Sequence, residues 1–292
     1  MPELPEVEVT RRRIGKLLVG RKIARVVTTK PSYFFLTSPK KLQQELTGRA
    51  VAKLERHGKY ILARLDGDGA TLLLHLGMTG QLFGEGASSN RLIRAAERGS
   101  KASAQPRGFT PDQHTHLQLE FADGGPRVFF RDVRKFGKVL LVAAGQSDAR
   151  LEKLGVDALK ASGQDLFVAA RARKVPIKSL LLDQAVIAGI GNIYADEALF
   201  LASVRPERSA RRVDAEACAA IVAAAQQVMR RSIQTGGSSI SDYVNPDGSD
   251  GGYQNERRVY GREDEPCPRC KTPIRRVVIA TRSSHFCPAC QK

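Results

Sequence analysis

Four of the five cysteines in this 292-residue chain lie close to its end, as Cys267-Pro-Arg-Cys270 and Cys287-Pro-Ala-Cys290. Two C-x-x-C pairs separated by sixteen residues are typical of a four-thiolate zinc site, in which a hairpin joins two tight turns. A segment this short cannot bury a core of its own, so a bound metal must supply its folding energy. We therefore predict one Zn2+ held by Cys267, Cys270, Cys287 and Cys290. A pair of disulfides is the alternative, which the doubled spacing disfavours.

Hydrophobic periodicity divides the rest of the chain into a part that is mainly predicted as strands and a part that is predicted as helices. Residues 4–19 have helical spacing, and from there to about residue 145 short alternating runs predict strands. The predicted strands cover 22–29, 50–56, 59–65, 71–76, 114–121, 127–131 and 137–143. After residue 146 the pattern becomes helical. The predicted helices cover 148–160, 164–172, 175–183, 192–202 and 214–233. The fold class is therefore α+β, with an N-terminal helix plus a β-sandwich followed by a helical part.

Two glycine- and serine-rich segments interrupt these patterns. We predict a mobile loop at 84–113 and a second flexible segment at 236–258, which is too polar to pack alone.

The chain carries 47 Lys and Arg against 30 Asp and Glu, a formal net charge of +17. The last 27 residues contain six cations and no acid. Such an excess is typical of a protein that binds nucleic acid, although a merely solubilising charge is the alternative. No apolar run is long enough to span a bilayer, and the acidic N-terminus does not fit a signal peptide. We expect a cytosolic protein with no membrane partner.

The first residues, Met-Pro-Glu-Leu-Pro-Glu, offer a reactive amine. Loss of Met1 would leave the secondary amine of Pro2 at the terminus. Because an α-amino group has a pKa near 8 and a lysine near 10.4, far more of the terminal amine is neutral at pH 7. Pro2 is therefore a candidate nucleophile for Schiff-base chemistry, with Glu3 and Glu6 beside it. Ordinary helix-start decoration is the alternative for these two acids.

Several motifs together resemble the bacterial formamidopyrimidine-DNA glycosylase family, whose members excise oxidised purines and then nick the strand. The resemblance covers essentially the whole chain, in family order. It is carried by MPELPEVE at the start, His57-Gly58-Lys59-Tyr60, His75-Leu76-Gly77-Met78-Thr79-Gly80, Asp132-Val133-Arg134-Lys135-Phe136-Gly137, Gly189-Ile190-Gly191-Asn192-Ile193-Tyr194-Ala195, Val259-Tyr260-Gly261-Arg262 and the four-cysteine finger.

The resemblance implies a catalytic set. Pro2 would be the nucleophile at the sugar C1′, Glu3 the acid/base on the deoxyribose, and Glu6 its hydrogen-bonding support. Lys59, on a turn between two strands, would contact phosphate and donate a proton during β-elimination, where a solvated hairpin lysine is the alternative. Arg282 of the finger would clamp a phosphate in δ-elimination, which suits a side chain that does not readily release a proton.

The resemblance also implies a DNA-binding set. Met78, Arg134 and Phe136 would fill the gap left by an everted nucleotide, since a glycosylase cannot reach C1′ inside a stacked duplex. For Met78 and Phe136 the alternative is a place in the core. The residues expected to contact the DNA backbone are His114, Arg134, Lys174, Lys178 and Asn192.

The implied organisation has three parts: a catalytic β-sandwich domain at 1–145, a helix–two-turn–helix domain at 151–240 and a zinc finger at 259–292. The implied protein is a monomeric repair enzyme of the bacterial cytosol and nucleoid, acting on double-stranded DNA that carries oxidised bases or abasic sites. The endonuclease VIII family, which prefers oxidised pyrimidines, is the nearest alternative. A non-catalytic zinc-finger DNA-binding protein is another, disfavoured because both Pro2 and Lys59 are present.

Overall fold

The computed structural model describes residues 2–88, 109–240 and 243–292. Most of the predicted mobile loop at 84–113, and Met1, whose loss would expose the Pro2 amine, lie outside the described residues. Those residues form two compact units. The first comes from Met1–Asp148 with Thr235–Gly252, and the second from Ala149–Gln234 with Tyr253–Lys292. The predicted domain limits at 145, 151, 240 and 259 stay predictions, and the structure groups 235–252 with the first unit.

The first unit is a β-sandwich with a helix at its start. Its two antiparallel sheets have four strands each, in the orders β2-β3-β4-β8 and β1-β6-β7-β5. Its elements are α1 Leu4–Leu18, β1 Ile23–Thr28, α2 Pro39–Leu46, β2 Val51–His57, β3 Tyr60–Leu65, β4 Thr71–His75, β5 Gly80–Gly84, β6 Thr115–Phe121, β7 Val128–Asp132 and β8 Lys138–Val142. The predicted sandwich is confirmed.

Two elements of this unit have no counterpart among the predictions. The helix α2 contains only two buried leucines, Leu42 and Leu46, so its hydrophobic repeat is short. The strand β5 reads Gly-Gln-Leu-Phe-Gly and is buried throughout, so it lacks the alternation that marks the other strands.

The core of the sandwich lies between the two sheets and includes the inner face of α1. Ile61 and Leu74 from one sheet join Leu117 and Phe130 from the other, and Ile14 of α1 belongs to the same cluster. Because these side chains are almost completely buried, α1 is fixed on the sandwich and its first turn has a defined place.

A buried carboxylate makes a second link between α1 and the sandwich. Glu8 accepts hydrogen bonds from Arg11 Nη2 at 2.7 Å and Arg12 Nε at 2.6 Å, and from Arg56 Nε of β2 at 3.1 Å. Burial alone raises the pKa of Glu8, but the hydrogen bonds and charges of these arginines outweigh it and lower the pKa to about 2.

The second unit is mainly helical and ends in a hairpin. Its main elements are α3 Ala149–Glu152, β9 Val156–Asp157, α4 Gly163–Arg171, α5 Ile177–Leu182, β10 Ile187–Ala188, α6 Asn192–Leu201, α7 Ala215–Gln234, β11 Arg275–Ile279 and β12 Arg282–Phe286. The hairpin β11–β12 lies between the two cysteine pairs, as predicted.

The predicted helix at 148–160 is wrong. The helix ends at Glu152, and the chain then forms the strand β9, which pairs in parallel with β10. Gly155, just before β9, allows the chain to approach the residue before β10 closely, because a Cβ there would lie 2.2 Å from the carbonyl oxygen of Val186. This close approach of two backbones is a tertiary contact that helical periodicity does not contain.

We predict that Glu8 makes the stability of the protein depend on pH in the acid range. Its pKa is lower in the folded state than the ordinary value of 4.5, so its stabilisation is complete above pH 5 and disappears as the pH falls towards 2. A shift of this size corresponds to about 3 kcal/mol. Glu8→Gln should lower the free energy of unfolding by about that amount at pH 7, and by much less near pH 2.

Urea unfolding at a series of pH values measures this difference. The control is Glu45→Gln on α2, where the side chain is exposed. An equal loss of stability for Glu8→Gln at pH 7 and pH 2 would contradict the prediction.

Candidate active site and nucleic-acid interface

The first turn of α1 brings Pro2, Glu3 and Glu6 together in a buried position. The backbone N–H of Glu3 donates to Oε2 of Glu6 at 2.9 Å, and the Glu3 side chain accepts from the backbone N–H of Glu6. This reciprocal capping box uses backbone donors that a helix start leaves without helical partners. Both carboxylates are therefore fixed beside Pro2. If these two acids were ordinary helix-start residues, the capping hydrogen bonds would be expected, but their almost complete burial would not.

The segment 235–252 packs on this first turn. Its Ser238 N–H donates to Oε1 of Glu6 at 2.9 Å, and Tyr243 Oη donates to the Glu6 carbonyl at 3.2 Å. Burial raises the pKa of Tyr243, which keeps its hydroxyl protonated as a donor. Gly237 has a φ of +84°, and a Cβ there would lie 3.3 Å from the Glu6 side chain. We predicted a segment too polar to pack alone, and the structure packs its described part against α1.

Lys59 occupies the two-residue turn between β2 and β3, as predicted. Gly58 has a φ of +54°, which allows the tight reversal. The Lys59 side chain is nevertheless only 8 % exposed. The reading of a solvated hairpin lysine is therefore wrong.

A histidine close to Lys59 was missed among the candidates. Burial, and then the charges of Lys59 and Lys138, lower the pKa of His75 to about 4, so its ring is neutral at pH 7. Its Nδ1 accepts from the Gly77 N–H at 3.2 Å, which leaves the proton on Nε2. The ring also lies 4.7 Å from that of Tyr60. The sequence did place His75 in the motif at residues 75–80, but only Met78 of that motif was assigned a role.

The loop at residues 133–136, here called the wedge loop, presents two predicted DNA-binding side chains to solvent. Phe136 is 43 % exposed, and the guanidinium carbon of Arg134 lies 4.6 Å from its ring centre. The core alternative for Phe136 is therefore wrong. Met78, on the neighbouring turn, is half-buried. The two backbones touch, because a Cβ on Gly77 would lie 2.5 Å from Gly137 N.

Asp132 organises the wedge loop from the protein side. Its side chain is fully buried and accepts from the N–H of Arg134 at 3.2 Å and of Gly137 at 2.6 Å. The main-chain N–H of Asp132 donates to the carbonyl of His114 at 2.9 Å. Asp132 begins the motif at residues 132–137, but the sequence alone assigned it no role.

In the second unit, two residues expected to contact DNA hold the finger. Lys178 Nζ donates to the Ser283 carbonyl at 2.7 Å, and Asn192 Nδ2 donates to the same oxygen at 3.0 Å. Lys178 is completely buried and pairs with Asp196 at 2.6 Å. Arg282, next to Ser283, is exposed. The backbone next to Arg282 is therefore held in position, because Lys178 and Asn192 both bind the Ser283 carbonyl.

The helix α6, which begins at Asn192 as predicted, also holds the finger through two acids. Asp196 Oδ2 accepts from the N–H of His285 at 2.8 Å. Glu197 is fully buried and accepts from the N–H groups of residues 258–260 at 2.9 to 3.0 Å. Sequence analysis missed both acids, since their partners lie more than sixty positions away. Lys174, by contrast, is exposed.

The four cysteines of the finger converge. All their sulfurs lie within 4.8 Å of one another, with Cys267 and Cys290 at 3.9 Å and Cys270 and Cys287 at 3.4 Å. Tetrahedral zinc with bonds of about 2.3 Å needs sulfurs about 3.8 Å apart, so the set fits one Zn2+. The sulfurs are too far apart for disulfide bonds, and the disulfide alternative is wrong.

Family models match all three parts of the chain. Residues 1–139 match the formamidopyrimidine-DNA glycosylase N-terminal domain, 154–244 the H2TH domain of the same enzymes, and 264–292 the zinc finger found in FPG and IleRS. A β-sandwich, an H2TH domain and this finger define the class of zinc-finger DNA glycosylases.

Individual relatives agree over their full lengths. Formamidopyrimidine-DNA glycosylase of Gluconobacter oxydans is 42% identical, with 100% of both chains covered. The crystal structure of MutM (Fpg) from Thermus thermophilus is 36% identical, with a TM-score of 0.81, covering 99% of this chain and 98% of that one. Lactococcus lactis Fpg, solved with a Fapy-dG containing DNA and with abasic-site DNA, is 33% identical at a TM-score of 0.82, with 100% of both chains covered. The chain belongs to the formamidopyrimidine-DNA glycosylase family.

Among residues 2–88, 109–240 and 243–292, no helix has the length and apolar character needed to cross a membrane.

We predict that zinc content follows the four finger cysteines and not the fifth. Cys287→Ser removes a thiolate ligand, so the purified protein should contain much less than one zinc per chain. Cys218→Ala is the matched control, because Cys218 is buried in α7 outside the cluster, and it should keep one zinc. Elemental analysis of desalted, reduced protein measures both. Equal zinc content in the two variants would contradict the site.

Proposed function

We propose that this protein is a bifunctional DNA glycosylase and AP lyase. It removes oxidised purines, 8-oxoguanine and formamidopyrimidines, from duplex DNA and then cleaves the strand at the abasic site. The observation that carries the proposal is the buried group of Pro2, Glu3 and Glu6 at the start of α1 in a chain with full-length relatives of this family. The Lactococcus lactis relative bound to Fapy-dG DNA supports the lesion class.

The first chemical step is attack on the lesion sugar. After removal of Met1, the Pro2 nitrogen uses its lone pair to form a bond to C1′, and the bond from C1′ to the base breaks with its electron pair going to the base. A proton must move to the leaving base or to the ring oxygen of the sugar. We assign this proton transfer to Glu3, and the capping box that holds its carboxylate next to Pro2 supports the assignment.

The second stage is elimination. Once the base has left, the Pro2 nitrogen loses its proton and forms a double bond to C1′, while the C1′–O4′ bond breaks and O4′ takes up a proton, so the sugar ring opens to an iminium. The iminium acidifies the 2′ proton, whose removal expels the 3′ phosphate. Removal of the 4′ proton from the resulting conjugated iminium then expels the 5′ phosphate by δ-elimination. Lys59 serves as proton donor and phosphate contact in this stage. Because Lys59 is buried, its side chain has less freedom to move than a solvated lysine, which suits a group that must meet one phosphate and one proton acceptor. Arg282 clamps a phosphate, since an arginine stays charged.

Eversion of the nucleotide precedes both stages. Met78, Arg134 and Phe136 fill the gap and offset a few kcal/mol of lost stacking. The exposed Phe136 with Arg134 against its ring supports this role. His114, Arg134 and Lys174 contact backbone phosphates. For Lys178 and Asn192, their hydrogen bonds to Ser283 favour a role in holding the finger.

The bound zinc supplies folding energy to the finger. The four cysteines hold it, and the hairpin between them carries Arg282. We further propose that the protein acts as a monomer in the bacterial cytosol, on chromosomal DNA.

The covalent step predicts a trappable intermediate. Borohydride should reduce the imine and join the protein to lesion-bearing DNA, because Pro2 forms a bond to C1′. Pro2→Gly should give weaker trapping, and a preparation that retains Met1 should give none. Denaturing gels measure the cross-link, with the terminus verified by mass spectrometry. Absence of any cross-link with an intact Pro2 terminus would contradict the covalent mechanism and favour a non-catalytic DNA-binding protein.

The lesion class separates this proposal from an endonuclease VIII-like activity. Matched duplexes carrying 8-oxoguanine or thymine glycol should be compared under single-turnover conditions. We expect faster excision of 8-oxoguanine. Faster excision of thymine glycol would assign the chain the pyrimidine specificity instead.

A further inference from the structure

Tyr33 lies in the connection between β1 and α2, outside every motif that carries the family resemblance. Its ring is 58 % exposed, yet its hydroxyl donates to the carbonyl oxygen of Arg134 at 2.8 Å. The Lys138 ammonium lies 4.9 Å from the centre of the same ring. Tyr33 therefore contacts the backbone of the wedge loop through its hydroxyl, although its ring is exposed.

The carbonyl that Tyr33 binds precedes an unusual residue. Lys135 has a φ of +58°, in the left-handed region that is unfavourable for a residue with a side chain. A loop in this conformation must be held by its neighbours. Because Arg134 and Phe136 flank Lys135, the orientation of the Arg134–Lys135 peptide sets the directions in which these two side chains project.

The loop is held from two sides. Asp132 binds the N–H groups of Arg134 and Gly137, which fixes the amide side of the loop. Tyr33 binds the Arg134 carbonyl and so fixes the opposite side of the same turn. Asp132 is buried, whereas Tyr33 acts at the solvent face, where water would otherwise compete for the carbonyl.

We propose that Tyr33 is a positioning residue of the wedge loop. It holds the Arg134–Lys135 peptide so that Arg134 and Phe136 are oriented before the damaged nucleotide leaves the stack. Interactions formed in advance lower the cost of ordering the loop on DNA. This inference rests on the proposed glycosylase function and adds a residue to it.

The test compares the unaltered protein with Tyr33→Phe, which removes only the hydroxyl. Single-turnover rates are measured on an 8-oxoguanine duplex, where a base must be everted, and on the same duplex with a preformed abasic site. Loss of one hydrogen bond predicts a roughly two- to tenfold slower rate for Tyr33→Phe on the 8-oxoguanine duplex. The abasic-site rate should change little, since no base has to leave the stack. Val168→Ala on α4, at a similarly exposed position, is the control.

The outcomes are distinct. A slower rate confined to the lesion duplex, with unchanged thermal unfolding, supports the positioning role. Equal rates for Tyr33→Phe and the unaltered protein on both duplexes overturn it, and so does an equal slowing on both. An unaltered protein that cleaves the abasic site but leaves 8-oxoguanine in place refutes the proposed function instead.

Discussion

The burial of the first turn of α1 is the constraint on which the catalytic unit depends. Two carboxylates, Glu3 and Glu6, are almost completely buried there, which would be costly without partners. Their reciprocal capping box supplies partners from the helix start itself, and Ser238 adds another from the segment 235–252. Because the inner face of α1 is packed into the sandwich core, the buried residues at its start, Pro2 among them, have a fixed place in the first unit.

The second unit solves a related problem with buried charge. Lys178 and Asp196 are both fully buried and pair with each other, and each also binds the finger hairpin, through the Ser283 carbonyl and the His285 N–H. A buried ion pair is weak evidence for added stability but is well suited to fixing one arrangement. Its consequence here is that the hairpin carrying Arg282 is anchored to α5 through Lys178 and to α6 through Asp196.

The wedge loop combines exposed side chains with a backbone that hydrogen bonds hold in place. Its Phe136 and Arg134 point to solvent, but the backbone beneath them is bound by Asp132 and by Tyr33. Lys135 adopts a left-handed conformation within this frame. The side chains that would enter DNA are thus carried by a turn that is already ordered, so less conformational entropy remains to be lost on binding.

A structural feature could be predicted from the sequence when the residues that cause it are neighbours in the chain. Seven strands, the helix α1 and the helix start at Asn192 were predictable because each is written in short-range periodicity and turn residues. The cysteine spacing was equally local, and it predicted the hairpin and the zinc site together. The strand β9 that follows α3 was not predictable from periodicity, because it depends on pairing with β10 and on the close approach of Gly155 to Val186. Nor was the burial of Lys59 at a hairpin tip, where sequence alone favours exposure.

The sequence by itself determined the fold class and the metal ligands, since these follow from residue type, spacing and family motifs, and it nominated the N-terminal set on which the proposed function depends. The tertiary structure decided which of the nominated cations face solvent and which hold the protein together. Lys178 is buried against Asp196 while Arg282 and Lys174 are exposed. The physical reason is that burial and pairing depend on residues distant in the chain, such as Ser283 and Asp196, and on the close packing that brings them within hydrogen-bonding distance.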